Sequence, residues 1–186
     1  MYHLRLVDGD EESQSGFTWF RNKSLAQPAT RIAAVDSSAT YNWIELKQTV
    51  NALIAQEQDG FDTWVNIPEY WEDGMTAPNY AHPDHLDHMT TGRLVSHALY
   101  DYAASLPSRC IRTIQWLGYP IQDLPENYTT AEKNYQNSVW FQYNQAQNGS
   151  GGPNTYDSGH AVWLARSYTS SKNGNGVTKF GPCLNE

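Results

Sequence analysis

Three of the six histidines fall within seven residues, in Ala81-His82-Pro83-Asp84-His85-Leu86-Asp87-His88. Neutral imidazole donates a nitrogen lone pair to a metal, and nearby carboxylates orient such imidazoles or activate a water, so this mixture is the donor chemistry of a zinc site. Read plainly as structure, the same segment is a solvated turn in which Asp84 or Asp87 caps a following helix. His-x-Asp-His alone separates the two readings weakly, because a four-residue pattern arises easily by chance. Its neighbours sharpen the choice. Thr90 and Thr91 lead into Gly92-Arg93-Leu94-Val95 one helical turn later. A loop-to-helix junction at this point also presents unpaired N–H groups, which suit an oxyanion beside a metal.

The elements that must position these residues follow from apolar spacing. Beyond His88, the set Met89, Leu94, Val95, Ala98, Leu99, Tyr102 and Ala103 recurs at helical intervals as far as Leu106-Pro107. Before it lies a long loop, residues 68–83, rich in aromatics and therefore functional rather than disordered. That loop leaves an alternating, β-branched and aromatic strand, Phe61 to Ile67, and a second alternating strand spans Ile111 to Leu117. Upstream, Leu4-Arg5-Leu6-Val7 reads as a strand emptying into an acidic turn, and Arg31 to Asp36 as a short buried element. Ser37 to Thr40 supply caps for a helix of about three turns whose apolar face is Ile44, Leu46, Val50, Leu53 and Ile54. Downstream, a helix is expected over Thr130 to Ala146, capped by Thr129 or Thr130, with Tyr135, Val139, Phe141 and Tyr143 as its apolar contacts. Asn148 to Asn154 is a flexible loop by composition, Ala161 to Tyr168 a last ordered element, and the remainder a polar tail unless Cys183 anchors it. Strand and helix alternate, which predicts an α/β fold.

Composition sets outer limits. The chain has 186 residues, enough for one domain with a real core, and 7 Trp and 12 Tyr exclude a disordered polymer. With 12 Lys and Arg against 20 Asp and Glu, the net charge of −8 disfavours a surface that tracks phosphates, and no nucleic-acid partner is expected. No run approaches 18 apolar residues, so no transmembrane segment is expected, and the N-terminus lacks the apolar core of a signal peptide. Three glycosylation acceptor patterns (at Asn22, Asn127 and Asn148) and the low charged fraction nevertheless fit a secreted or secretory-pathway protein. Cys110 and Cys183 are compatible with one bridge or with two buried thiols.

The segment His85-Leu86-Asp87-His88 with Gly92-Arg93 resembles the second signature of the PIG-L-like (LmbE-like) de-N-acetylase family, an H-x-D-H followed by a Gly-Arg-bearing helix. The likeness extends upstream to Leu4 to Gly9 and to Ala34 to Tyr41. Downstream it takes in Leu117-Gly118-Tyr119-Pro120, Leu124 to Asn127 and Trp163 to Tyr168, so it covers about residues 4–168. It implies a Rossmann-like three-layer sheet with flanking helices over 1–168, with 169–186 as a polar carboxy-terminal tail. It also implies a zinc-dependent hydrolase that removes the acetyl group from an N-acetylated amino sugar, glycan or glycolipid. In this register His88 is the zinc ligand, and His85 and Asp87 are the catalytic residues: His85 supports the oxyanion or leaving group and Asp87 orients a histidine. A shifted register would make His85 the ligand and His82 its helper. The family's first signature, an A-H-P-D-D type loop after the first strand, supplies the other zinc ligands and the water-activating carboxylate. It is absent from these residues, so the chain is expected to be an amino-terminally shortened form with impaired activity of its own.

Two other readings stay open. His85-x-Asp87-His88 also matches the end of the H-x-H-x-D-H signature of metallo-β-lactamase-like hydrolases, although the first histidine would then fall on Pro83. Alternatively the chain is a non-catalytic module that binds carbohydrate through Trp64, Tyr70, Trp71 and Tyr80. Arg5, Asp8, Asn66 and Arg93 have ordinary structural readings as good as a place in a cleft, and His97 is expected to be structural.

Overall fold

A computed structural model describes residues 4, 6, 7, 9, 15–58, 62–105, 110–152, 154, 156–181 and 183. The architecture is mixed α/β, with helices and two small sheets, and the chain divides into two compact units. The first comprises Met1–Ala77, His85–Trp116 and Thr169–Glu186; the second comprises Pro78–Asp84 and Leu117–Tyr168. No helix among the described residues is long and apolar enough to cross a membrane.

In the first unit, helix α1 (Gly16–Ala26) precedes a two-stranded antiparallel ladder of β1 (Ile32–Ala33) and β2 (Thr40–Tyr41). Helix α2 (Trp43–Glu57) follows. Its cap is Asn42 rather than one of residues 37–40, because Thr40 and Tyr41 are taken up by β2 pairing. The Asn42 side chain accepts from Glu45 N at 2.9 Å and Glu45 Oε2 accepts from Asn42 N at 3.0 Å, which satisfies two otherwise orphaned donors reciprocally. Leu6 forms an antiparallel bridge to Ala34, while Arg5 and Asp8 of the expected strand and turn lie outside the described residues.

Strand β3 (Thr63–Pro68) and β4 (Ile111–Trp116) pair in parallel, in the register Thr63↔Ile111 to Pro68↔Trp116, and helix α3 (Leu86–Ser105) lies between them in the chain. Parallel strands need such a crossover, and strand, helix and strand were each foreshadowed by period. Strand β5 (Val177–Phe180) then pairs antiparallel with β4, giving the order β3-β4-β5. The described part of 169–186 is therefore not a free polar tail. Phe180 is buried with Ile111 and Leu99, and a Cys110–Cys183 disulfide ties the end of this segment to the start of β4. The larger core gathers Phe17, Phe20, Ile32, Leu46, Val50, Leu94 and Ala98 from α1, β1, α2 and α3.

The second unit holds a 3₁₀ turn at Tyr119–Asp123, helix α4 (Thr130–Gly149) and the short helix α5 (Ser158–Ala161). Thr129 caps α4 as expected: Thr129 Oγ1 accepts from Glu132 N, and Glu132 Oε2 accepts from Thr129 N at 2.7 Å. The apolar contacts expected from Tyr135, Val139, Phe141 and Tyr143 are not made in that sense, since all four are exposed and Asn144 is the buried residue of the helix. Residues 161–168 do not form one element either. Asp157 caps α5 by accepting from His160 N, and the chain leaves the helix in turns after Ala161.

Candidate functional site

The candidate chemistry sits in the first turn of α3. The His85 carbonyl accepts from His88 N and Met89 N at 3.0 and 3.2 Å, which places His85 at the helix entrance. Gly92, one turn on, lies against the end of β3: a Cβ there would overlap the Pro68 carbonyl oxygen, so only glycine lets the helix come this close. The turn carrying the histidines therefore lies at the carboxyl end of the parallel pair β3-β4, the edge at which open α/β sheets hold their ligands.

His85 Nδ1 accepts from Asp87 N at 3.3 Å. An accepting Nδ1 carries no proton, so the neutral ring holds its hydrogen on Nε2. The His85 and His88 rings, both half-buried, lie with centroids 5.5 Å apart at a tilt of 58°. His88 lines a cavity of about 350 Å³ whose other walls are mainly apolar, including Leu6, Phe17, Val50, Leu94 and Val95.

Asp87 departs from expectation. Among the described residues its carboxylate bonds to no histidine; it accepts from Gly9 N at 3.1 Å, Phe17 N at 3.2 Å, Thr18 N at 2.7 Å and Thr18 Oγ1 at 2.6 Å. Phe17 and Thr18 belong to the first turn of α1, whose own N-cap residue, Ser15, makes no side-chain cap bond. Asp87 thus supplies that cap from α3, where a carboxylate also meets the positive end of the α1 dipole. Burial pushes the acid upward, but the Thr18 hydroxyl and the three amide bonds outweigh it and hold Asp87 below the ordinary aspartate range. The group of Asp87 that meets His85 is its backbone N–H. Thr18 Oγ1 also lies 2.9 Å from Thr90 Oγ1, which closes the buried network between the two helices. Gly9 and Gly16 make the approach possible, because a Cβ on Gly16 would lie 2.7 Å from Gly9 Cα and Gly16 has φ +80°. No local signal announces any of these partners, which lie 69 to 78 residues from Asp87.

Arg93 fastens the loop after β3. Its guanidinium donates to the Trp71 carbonyl and faces Glu72 and Asp73 at 3.7 and 3.5 Å, while His97 Nε2 lies 3.1 Å from Glu72 Oε1. His97 is structural in this arrangement. His82 belongs to the second unit, where Nδ1 lies 2.6 Å from Asp123 Oδ1 and the backbone N–H donates to Asp123 Oδ2. The four aromatics considered for sugar binding differ in setting. Tyr70 is buried and its hydroxyl donates to Ser96 Oγ at 2.6 Å, Trp64 carries the Arg112 guanidinium over its ring, and Tyr80 lies in the second unit.

Among the described residues no three His, Cys, Asp or Glu side chains are grouped closely enough to hold a metal ion. A catalytic zinc takes three protein ligands, so the described residues by themselves do not fit one. They present two adjacent imidazoles on a rigid turn, one of them with a fixed tautomer. No protein-family model, curated protein or solved structure matches the chain.

Proposed function

We propose that this turn is half of the zinc centre of a PIG-L-like N-deacetylase, acting on an N-acetylated amino sugar, glycan or glycolipid. The observation that carries the reading is the pairing of His85 and His88 at the entrance of α3, at the carboxyl edge of the β3-β4 pair. In this reading His88 is one zinc ligand. The reading requires further donors and a water-activating carboxylate, which the described residues do not group with His88. A metal in such a centre polarises an amide carbonyl and acidifies a water. His85 would offer its Nε2 hydrogen to the amide oxygen as it gains charge. Asp87 is a positioning residue: its backbone sets the His85 ring, and its carboxylate locks the turn to α1. The β3-α3-β4 unit would then be part of a Rossmann-like three-layer sheet, and the disulfide supports a secreted protein, since such bridges persist in oxidising compartments.

Metal analysis of the chain and of His88→Ala tests this. The chain is expected to take up zinc weakly, to lose that uptake on substitution of His88, and to turn over no N-acetylated sugar by itself. Stoichiometric zinc with measurable turnover would overturn the half-site reading, and zinc uptake indifferent to His88→Ala would remove His88 from it.

A further inference from the structure

The second unit carries an aromatic surface with no role in the chemistry above. Tyr143 stacks on Trp140 with centroids 5.9 Å apart, Trp140 on His160 at 6.1 Å, and Trp163 on Tyr119 at 5.4 Å. Beside Trp140 opens a cleft of about 300 Å³, lined also by Asn137, Tyr156, Asp157 and Ser158. That volume lies at the small end of the range for ligand pockets, roughly 300–1,000 Å³.

The polar groups of the cleft are solvent-exposed, and two of them lack a protein partner among the described residues. Tyr156 donates its hydroxyl to Asn137 Oδ1 at 3.0 Å, so the Asn137 Nδ2 hydrogens point elsewhere and have no partner among the described residues. The Ser158 hydroxyl has none either, and Asp157, 2.8 Å from His160 Nδ1, contributes an ionised acceptor. A purely apolar ligand would cover these groups without replacing their water bonds. An anion would meet Asp157 without a compensating cation. Lys133 and Arg166 are the only Lys or Arg in this unit, and they are committed, Lys133 to Glu126 and Arg166 to the Leu124 and Val162 carbonyls. A cation would find only Asp157, whose Oδ1 already accepts from His160 N and faces His160 Nδ1, so a neutral ligand that has an apolar face for an indole or phenol ring and hydroxyls around its edge uses more of the cleft.

We propose that the cleft beside Trp140 binds a neutral pyranose unit of an oligosaccharide. This site stands without the zinc reading and would serve to hold a glycan whether or not the chain acts on it.

Calorimetric titration with triacetylchitotriose, cellotriose and maltotriose, in EDTA so that no metal contributes, tests the assignment. Saturable binding of at least one is expected, and Trp140→Ala and Asn137→Ala should each weaken it about tenfold. Tyr135→Ala removes a ring that is 68% exposed on the same helix but does not line the cleft, and should leave binding unchanged. Should Trp140→Ala unfold by circular dichroism, Asn137→Ala decides. Three results overturn the assignment: no saturable binding of any of the three sugars, binding indifferent to the cleft substitutions, or a loss with Tyr135→Ala as large as with Asn137→Ala.

Discussion

Replacing Asp87 by asparagine keeps the size of the side chain and removes one acceptor oxygen together with the charge. The new amide can turn its single oxygen toward Thr18, where the two shortest bonds are, at 2.6 and 2.7 Å. Its NH₂ then faces the N–H groups of Gly9 and Phe17, which lose their acceptor, Phe17 in a buried place and Gly9 in a part-buried one. Each such orphaned donor costs about 1–3 kcal/mol, so Asp87→Asn should lower the unfolding free energy by about 3 kcal/mol at pH 7. Asp87→Ala, which strands the three amide donors and leaves the Thr18 hydroxyl only Thr90, should cost about 3–5 kcal/mol. Urea denaturation followed by circular dichroism reads both. The effect should also depend on pH, because Asp87 is held below the ordinary aspartate range in the folded chain. Its stabilising contribution is complete above the unfolded value of about 3.9 and is lost as pH falls through the depressed folded value. The gap between wild type and Asp87→Asn should therefore stay constant from pH 7 to about 5 and shrink below about 4. The interhelix cap is refuted if Asp87→Asn lies within about 0.5 kcal/mol of wild type at pH 7, or if the gap is unchanged when the acid titrates.

Gly92→Ala places a methyl group onto the Pro68 carbonyl oxygen and should destabilise by about 1–3 kcal/mol, seen as a lower melting temperature; an unchanged melting temperature would mean that α3 does not abut β3 as described. The Cys110–Cys183 bridge closes a loop of sequence separation 73, so the Cys110→Ser, Cys183→Ser double variant should lose about 4 kcal/mol. Hydrogen exchange should locate that loss first in β5. Nitrogen-15 spectra of neutral His85 should show the hydrogen on Nε2, as its bond from the Asp87 amide requires. A hydrogen on Nδ1 would exclude the orientation assigned to it.

Much that depends on neighbours three or four residues away is legible in the sequence, but not all: the Asn42-Glu45 capping box is as local as any, yet the cap is expected among residues 37–40, and α1 is not expected at all. The Thr129-Glu132 capping box, the helical spacing that becomes α2 and α3, and the alternation that becomes β3 and β4 are local patterns, because side-chain caps and apolar periods are set within a turn or a strand. For the same reason the histidines could be placed at the start of a helix. Asp87 shows where that logic stops. Its spacing to His85 and His88 suggested a residue that serves a histidine, yet its carboxylate caps α1, through partners about seventy positions away that only packing of the two helices brings together. The acidic segment before α1 contains no pattern that names such a partner. Similarly, nothing near Val177 to Phe180 distinguishes a tail from an edge strand until β4 offers its hydrogen bonds and Cys110 its sulfur. The aromatic face of α4 has a helical period, but the period does not say whether anything covers it. Tertiary structure left Tyr135, Phe141 and Tyr143 exposed, because burial is decided by which surfaces meet and not by the order of residues along one of them.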